Sequence, residues 1–227
     1  MNSSIPTPEA QAELERIYSA RFSGLESYRN EVWKILVRDF FSRWILPASS
    51  ILDLGCGYGE FINNIQAAQK LAMDLNPATR HRVANDVQFL EQDCSQTWPL
   101  RGNSLDAVFT SNFLEHLPNK KALQATLFEA HRCLKPGGRF IALGPNIKVL
   151  GGQYWDFFDH HVPLTELSLA EALTITGYDM EHAVARFLPY TMSHGSRPPL
   201  WTLRLYLKIP RLWKIFGRQF LLIARKK

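Results

Sequence analysis

A doubly wound α/β fold, built on a mostly parallel sheet with helices on both faces, is what this sequence predicts. Three observations carry that expectation. Short apolar runs alternate with stretches of helical spacing between residues 50 and 143; the first run leads straight into a glycine-rich turn; and a carboxylate ends the second run. At 227 residues, with 46% hydrophobic and 21% charged side chains, the chain can enclose one sizeable core, and we expect a single domain over 1–227.

The elements follow in order. Residues 9–22 and 27–45 carry helical spacing, as in Val32, Leu36, Phe40 and Trp44, and Pro47 closes the second run, so 1–48 form a helical preface. Strands are expected at 50–54, 70–73, 87–90, 105–110 and 139–143, with helices at 60–68, 78–85 and 120–134 between them. Residues 49–145 thus make a ligand-binding core. Lys135-Pro-Gly-Gly138 reads as a helix stop and turn. A loop over 144–163 leads into a helix at 165–176, a strand at 178–187 and a closing strand at 219–224, with an irregular insertion before the last strand. Residues 146–227 therefore form the acceptor side.

Composition narrows the function. Three widely spaced cysteines, Cys56, Cys94 and Cys133, show no CxxC or paired-histidine pattern, so neither a disulfide framework nor a metal site is expected. No basic start with an apolar stretch opens the chain, and nowhere do eighteen apolar residues run together, which predicts a soluble cytoplasmic protein. The net charge of +5 is unevenly spread: Glu181 is the last acid, and ten basic residues follow it, leaving 16 basic against 21 acidic residues before them. An anionic partner for the C-terminal part, or a solvated basic face, would each account for this.

The sharpest motif is Ile51-Leu-Asp-Leu-Gly-Cys-Gly-Tyr-Gly-Glu60. Glycines at alternate positions admit positive φ and close approach of a ligand to the backbone, and the helix that follows offers free N–H groups. Asp74 stands nineteen residues after Gly55, where an acid accepts ribose hydroxyls in dinucleotide folds; it would equally cap the next element.

Together with Gln92-Asp93-Cys94, Asp106-Ala-Val-Phe-Thr-Ser-Asn-Phe-Leu-Glu-His-Leu117 and Leu134-Lys-Pro-Gly-Gly-Arg-Phe140, these motifs resemble the class I S-adenosylmethionine-dependent methyltransferases over about residues 50–145. The resemblance implies a Rossmann-like seven-stranded sheet with an antiparallel last strand, and S-adenosyl-L-methionine as cofactor. It implies that Gly55 and Gly57, with Cys56, Gly59 and Leu75 beside them, lie against the methionine and ribose portions. Asp53 would orient that loop and reach the cofactor ammonium, Asp74 would hold the ribose, Asp93 would accept the adenine amino group, and the Cys94 backbone would donate to the ring. Ser111 and Asn112 would lie beside the methionine part. Arg29 would reach its carboxylate or stand as a surface charge. Glu115 and His116 read as the start of a helix that packs.

Two other readings share some of these residues. A dinucleotide oxidoreductase shares the glycine turn and ribose acid, but the spacing is G-x-G-x-G rather than G-x-G-x-x-G. A non-catalytic S-adenosylmethionine-binding partner or sensor differs only in lacking turnover.

For the acceptor, Tyr154-Trp-Asp-Phe-Phe-Asp-His-His-Val-Pro-Leu-Thr165 places Asp159 beside His160 and His161 after the fifth strand. Histidine titrates near neutrality, so His160, with His161 second and Asp159 orienting the ring, is the expected general base; the pair would also serve to buttress the next helix. The segment resembles methyltransferases encoded beside bacterial glycan-assembly enzymes, which implies O-methylation of a small-molecule, sugar or lipid-linked glycan acceptor. Within 200–218, Arg204, Lys208, Arg211, Lys214 and Arg218 recur at intervals of 4, 3, 3 and 4, a basic helical stripe opposite Leu, Trp and Phe, although 201–209 also alternates like a strand. Such a stripe suits an anionic acceptor or peripheral contact with the inner membrane face. Nucleic acid is disfavoured, since no RNA-binding module is present and the basic residues interleave with aliphatics.

Overall fold

The structure, a computed structural model, describes residues 24–190 and 197–227. The helix expected at 9–22 lies outside the described residues. In chain order the elements are α1 (Glu26–Asp39), β1 (Ser50–Leu54), α2 (Glu60–Asn64), β2 (Gln69–Asp74), β3 (Val87–Glu91), β4 (Leu105–Ser111), α3 (Lys120–Cys133) and β5 (Leu134–Pro145). They continue through α4 (Ile147–Leu150), α5 (Glu166–Thr176), β6 (Tyr178–Val184), α6 (Leu200–Lys208), α7 (Pro210–Phe216) and β7 (Gln219–Lys226).

All seven strands join one sheet in the order β3-β2-β1-β4-β5-β7-β6. The first five pair in parallel, whereas β7 runs antiparallel to both β5 and β6. Strand alternation sorts the core into two layers. Ile51, Ala72, Phe109, Ile141 and Ile223 face α1, α2 and α6. Leu52, Leu71, Val108, Phe140 and Leu222 face α3 and α5. An all-aromatic knot anchors the N-terminal helix: Phe61 stacks on Phe109 at 3.6 Å, and Trp33 and Phe41 meet Phe109 edge-on.

Several boundaries differ from the sequence expectation, each for a local reason. The helix expected over 27–45 stops at Asp39, and a single 3₁₀ turn, Phe41–Arg43, replaces its end, because Phe40 leaves helical φ/ψ to pack against Phe187. The helix expected at 60–68 is the short α2, ended by extended Ile65. The one expected at 78–85 is a 3₁₀ turn, Pro77–His81, opened by the Asn76 side chain, which accepts from the Ala78 N–H at 3.0 Å. Strand β5 begins at Leu134, with Lys135-Pro-Gly-Gly138 taken up as a register shift against β4. The loop expected at 144–163 holds α4 and a 3₁₀ segment, Gly151–Asp156.

The insertion is helical, as the spacing of its basic residues suggested, but it is two helices. Ile209, restrained by the proline after it, sits at φ −120° and ψ 85°, so α6 ends and Pro210 starts α7. The basic residues therefore do not form one stripe: Arg204 pairs with Asp39 at 3.4 Å, and Arg218 lies past α7, donating to Gln153 Oε1 at 2.9 Å.

Candidate active site

The sheet order reverses between β1 and β4, and in open parallel sheets that switch point opens a crevice at the carboxyl edge. A cavity of about 360 Å³ lies there, lined by the residues after β1, β2, β3 and β4. Gly55, at φ +68°, turns the chain out of β1. Its N–H and that of Cys56 bond back to the Met73 carbonyl at 2.9 and 3.2 Å. A Cβ at Gly55 would stand 2.1 Å from the Phe113 ring, so only glycine fits. Gly55→Ala is expected to cost about 1 to 3 kcal/mol of stability from backbone strain, with cofactor binding reduced in parallel; thermal melting and calorimetry check it.

Asp74 ends β2 and faces the same loop. Its two carboxyl oxygens accept from Gly57 N and Asn76 N, both at 2.9 Å. Burial raises its pKa, opposed by those backbone donors and Leu75. A carboxylate offers about four lone-pair sites, so acceptor capacity remains toward the cavity. Asp53 is also buried, and burial followed by repulsion from Glu60 and Asp74 lifts its pKa well above the usual carboxylate range against the bond from the Ile62 backbone. Glu60 in turn holds Arg29 Nε at 2.7 Å and keeps that side chain, 31 residues away in sequence, at the cavity wall.

Asp93 Oδ1 accepts from both the N–H and the hydroxyl of Ser95, at 2.9 and 2.8 Å, which folds the turn after β3 around the cavity. Cys94 lines the wall, its carbonyl held by the Trp98 indole at 2.8 Å and its thiol pushed by burial to about 12. Asn112, at φ +49°, donates its N–H to the Leu143 carbonyl at 2.8 Å and its amide to Ser111 Oγ at 3.1 Å. Asn112 Oδ1 is a buried acceptor without a partner among the described residues. The glycine cradle, the buried acids and this orphaned acceptor fit a ligand with ribose hydroxyls and a cationic ammonium.

Cys56 and Leu75 line the cavity too, but Gly59 does not; it caps α2 from the left-handed region, where a Cβ would press on Asn63 and Val83. His161 is likewise outside the lining, exposed, with its backbone N–H on the Glu115 carbonyl at 2.9 Å.

The acceptor side differs most from expectation. His160 is buried against Phe157, stacked at 4.9 Å, and Tyr154 at 4.6 Å. Asp159, expected to orient His160, also reaches a second histidine: its Oδ2 lies 3.2 Å and its carbonyl 3.0 Å from Nδ1 of His116. His116, read from the sequence as a packing residue, lines the cavity with Asp159 and His160, its ring 5.0 Å from that of His160. Donor atoms of Glu115, His116 and His160 lie within 4.8 Å of one another. A small cation would fit that spacing, although the sequence pattern pointed to no metal site. Burial works to lower the His116 pKa, but the Asp159 bond and the Glu115 charge outweigh it and the net shift is upward. Pro189, Tyr190 and Gln219, from the chain flanking the insertion, complete the wall and carried no sequence signal.

Comparison with known proteins agrees with this geometry. Residues 52–142 match a family model described as a methyltransferase domain. A malonyl-acyl-carrier-protein O-methyltransferase of Dechloromonas aromatica is 34% identical over 44% of this chain and 38% of its own length. A demethylmenaquinone methyltransferase of Symbiobacterium thermophilum is 28% identical over 61% of each. The chain thus spans less than two thirds of these curated relatives. Among solved structures, a SAM-dependent methyltransferase from Archaeoglobus fulgidus shares the fold at TM-score 0.67, with 20% identity over 90% of this chain and 99% of that one. S-Adenosyl-L-methionine is the cofactor of that family. Residues 52–142 thus match a methyltransferase domain, and the 3-2-1-4-5-7-6 sheet with the glycine-loop cavity at its switch point is the fold of the solved S-adenosylmethionine-dependent methyltransferases.

Proposed function

We propose that this protein methylates an oxygen nucleophile on a small-molecule, sugar or lipid-linked glycan acceptor. The observation that carries the reading is the placement of an Asp159–His116 pair and His160 on the wall of the cavity that also holds the glycine loop and Asp74. When bound, the cofactor supplies a methyl group activated on a sulfonium, and its in-line transfer needs alignment more than covalent help. On the cofactor side, Asp74 accepts the ribose hydroxyls, Asp93 the adenine amino group, and the Cys94 backbone donates to the ring. Asp53, Ser111 and Asn112 receive the ammonium, Arg29 the carboxylate, and Gly55, Cys56, Gly57 and Leu75 supply close contact.

On the acceptor side, we place the base at His116 in preference to the expected His160. The carboxylate beside it in sequence orients His116, so His116 takes the acceptor proton at its Nε2, with Nδ1–H held by Asp159, and His160 packs against it to shape the acceptor pocket. Because matched relatives are named as both O- and C-methyltransferases, the acceptor atom is the part of this proposal that turnover must test.

Calorimetry is expected to show saturable binding of S-adenosylmethionine and none of NAD. A screen with labelled methyl donor against lipid-linked sugars, sugar nucleotides and RNA is expected to label a glycan hydroxyl. Saturable NAD binding without S-adenosylmethionine binding would sink the assignment; cofactor binding with no transfer to any acceptor class would favour the sensor reading.

A further inference from the structure

We propose that α6 and α7, together with the rim turn carrying Trp155 and Phe158, form a docking face for an anionic lipid surface. The inference deepens the proposed function, since it rests on an acceptor whose lipid part stays in a membrane while its head group enters the cavity.

Topology supplies the first argument. The two helices are inserted between β6 and β7 at the carboxyl edge of the sheet, and the residues on either side of them, Pro189 and Gln219, line the cavity wall. Whatever meets this insertion is therefore held beside the cavity.

The insertion is firmly seated, so its exposed face is not a detached segment. Tyr206 and Leu207 are buried, the Tyr206 hydroxyl donates to the Phe187 carbonyl, and the Trp213 ring packs edge-on against Phe187 at 4.9 Å and Phe40 at 5.9 Å. On the opposite face Trp201 is 65% exposed, Ile215 64% and Phe216 56%, with Leu205 and Ile209 between them. Arg218 Nη1 reaches Gln153 Oε1 at 2.9 Å and so ties the end of α7 to the turn bearing Trp155, 53% exposed, and Phe158, 91% exposed. Two segments about 60 residues apart in sequence, each with exposed aromatic side chains, are thereby tied to one another.

Charge identifies the occupant. Lys208, Arg211 and Lys214 are exposed on the same helices and make no ion pair among the described residues, unlike Arg204, Arg225 and Lys227. No acidic residue follows Glu181. Aromatic and aliphatic side chains interleaved with cations suit the boundary between acyl chains and anionic head groups, where the rings enter and the cations stay at the phosphates. An acidic protein would be met by cations without need of so many exposed apolar groups, and a second copy would bring like charge to like.

The test uses the full chain with phosphatidylcholine vesicles and with vesicles containing phosphatidylglycerol. Sedimentation with the anionic vesicles alone is expected, weakening with salt, together with a blue shift of tryptophan emission. The Lys208→Gln/Arg211→Gln/Lys214→Gln variant should bind on the order of a hundredfold more weakly. Trp201→Ser/Ile215→Ser, surface changes that leave the fold intact, should bind more weakly and retain less of the blue shift. Absence of sedimentation with anionic vesicles, or equal binding by parent and both variants, overturns the proposal. So does a salt-sensitive dimer or RNA complex that both variants abolish in the absence of vesicle binding. S-Adenosylmethionine calorimetry on the same samples separates this outcome from failure of the proposed function: cofactor binding without vesicle binding rejects the docking face alone.

Discussion

His116→Ala is expected to lower turnover by roughly a hundredfold to ten-thousandfold while S-adenosylmethionine affinity stays nearly constant, the signature of a lost general base. The argument is geometric. His116 lines the cavity, and Asp159 meets its Nδ1 edge through both carboxylate and carbonyl, which fixes the tautomer with Nε2 as the proton acceptor. The pH dependence has a definite sign. A base works deprotonated, and the His116 pKa is raised: burial opposes the shift, and the Asp159 bond and the Glu115 charge exceed it. Turnover of the parent should therefore rise with pH through a midpoint above the usual imidazole value. Asp159→Asn keeps the shape but removes a charge, so the midpoint should move down and the plateau should fall. His160→Ala should open the acceptor pocket, raising KM for the acceptor more than it lowers kcat. Should His160→Ala abolish turnover while His116→Ala leaves it unchanged, the base is His160 and not His116.

Asp74→Ala should weaken S-adenosylmethionine binding by roughly ten- to a hundredfold, from the loss of about 1.5 to 3 kcal/mol in hydrogen bonds to a charged group. Part of that loss is direct, since the ribose hydroxyls lose their acceptor. The remainder comes through the loop: Asp74 holds the N–H of Gly57 and of Asn76 at 2.9 Å, and without it both donors face a buried cavity unpaired. Asp74→Asn, which keeps one acceptor oxygen, should fall between parent and alanine variant. Calorimetry at fixed pH measures all three, and turnover at saturating cofactor should recover most of the parent rate if the residue acts in binding alone. An alanine variant with parental affinity would remove Asp74 from the cofactor site.

What the sequence determined by itself is the part of the protein written in local periodicity. Short apolar runs placed all seven strands, since the sheet is covered on both faces, one set of side chains against α1, α2 and α6 and the other against α3 and α5, and that signal survives in any tertiary setting. The glycine turn and Asp74 were legible for a related reason: the turn is made within a few residues, and the short α2 carries the chain directly to the adjacent parallel strand β2, which Asp74 ends. Helix ends were less legible, because Asp39, Asn64 and Lys208 end their helices where packing or a following proline outweighs propensity. The Asp159–His116 pair and the exposed apolar face of the insertion were decided by tertiary structure alone. Asp159 adjoins His160 in sequence, yet adjacent side chains leave the backbone in different directions, and the path of the chain after β5 brings Asp159 to a histidine 43 residues away. The same holds for Arg218 and Gln153, 65 residues apart, which join α7 to the rim turn. Contacts of that range depend on how loops close around a finished sheet, and no window of the sequence contains both partners.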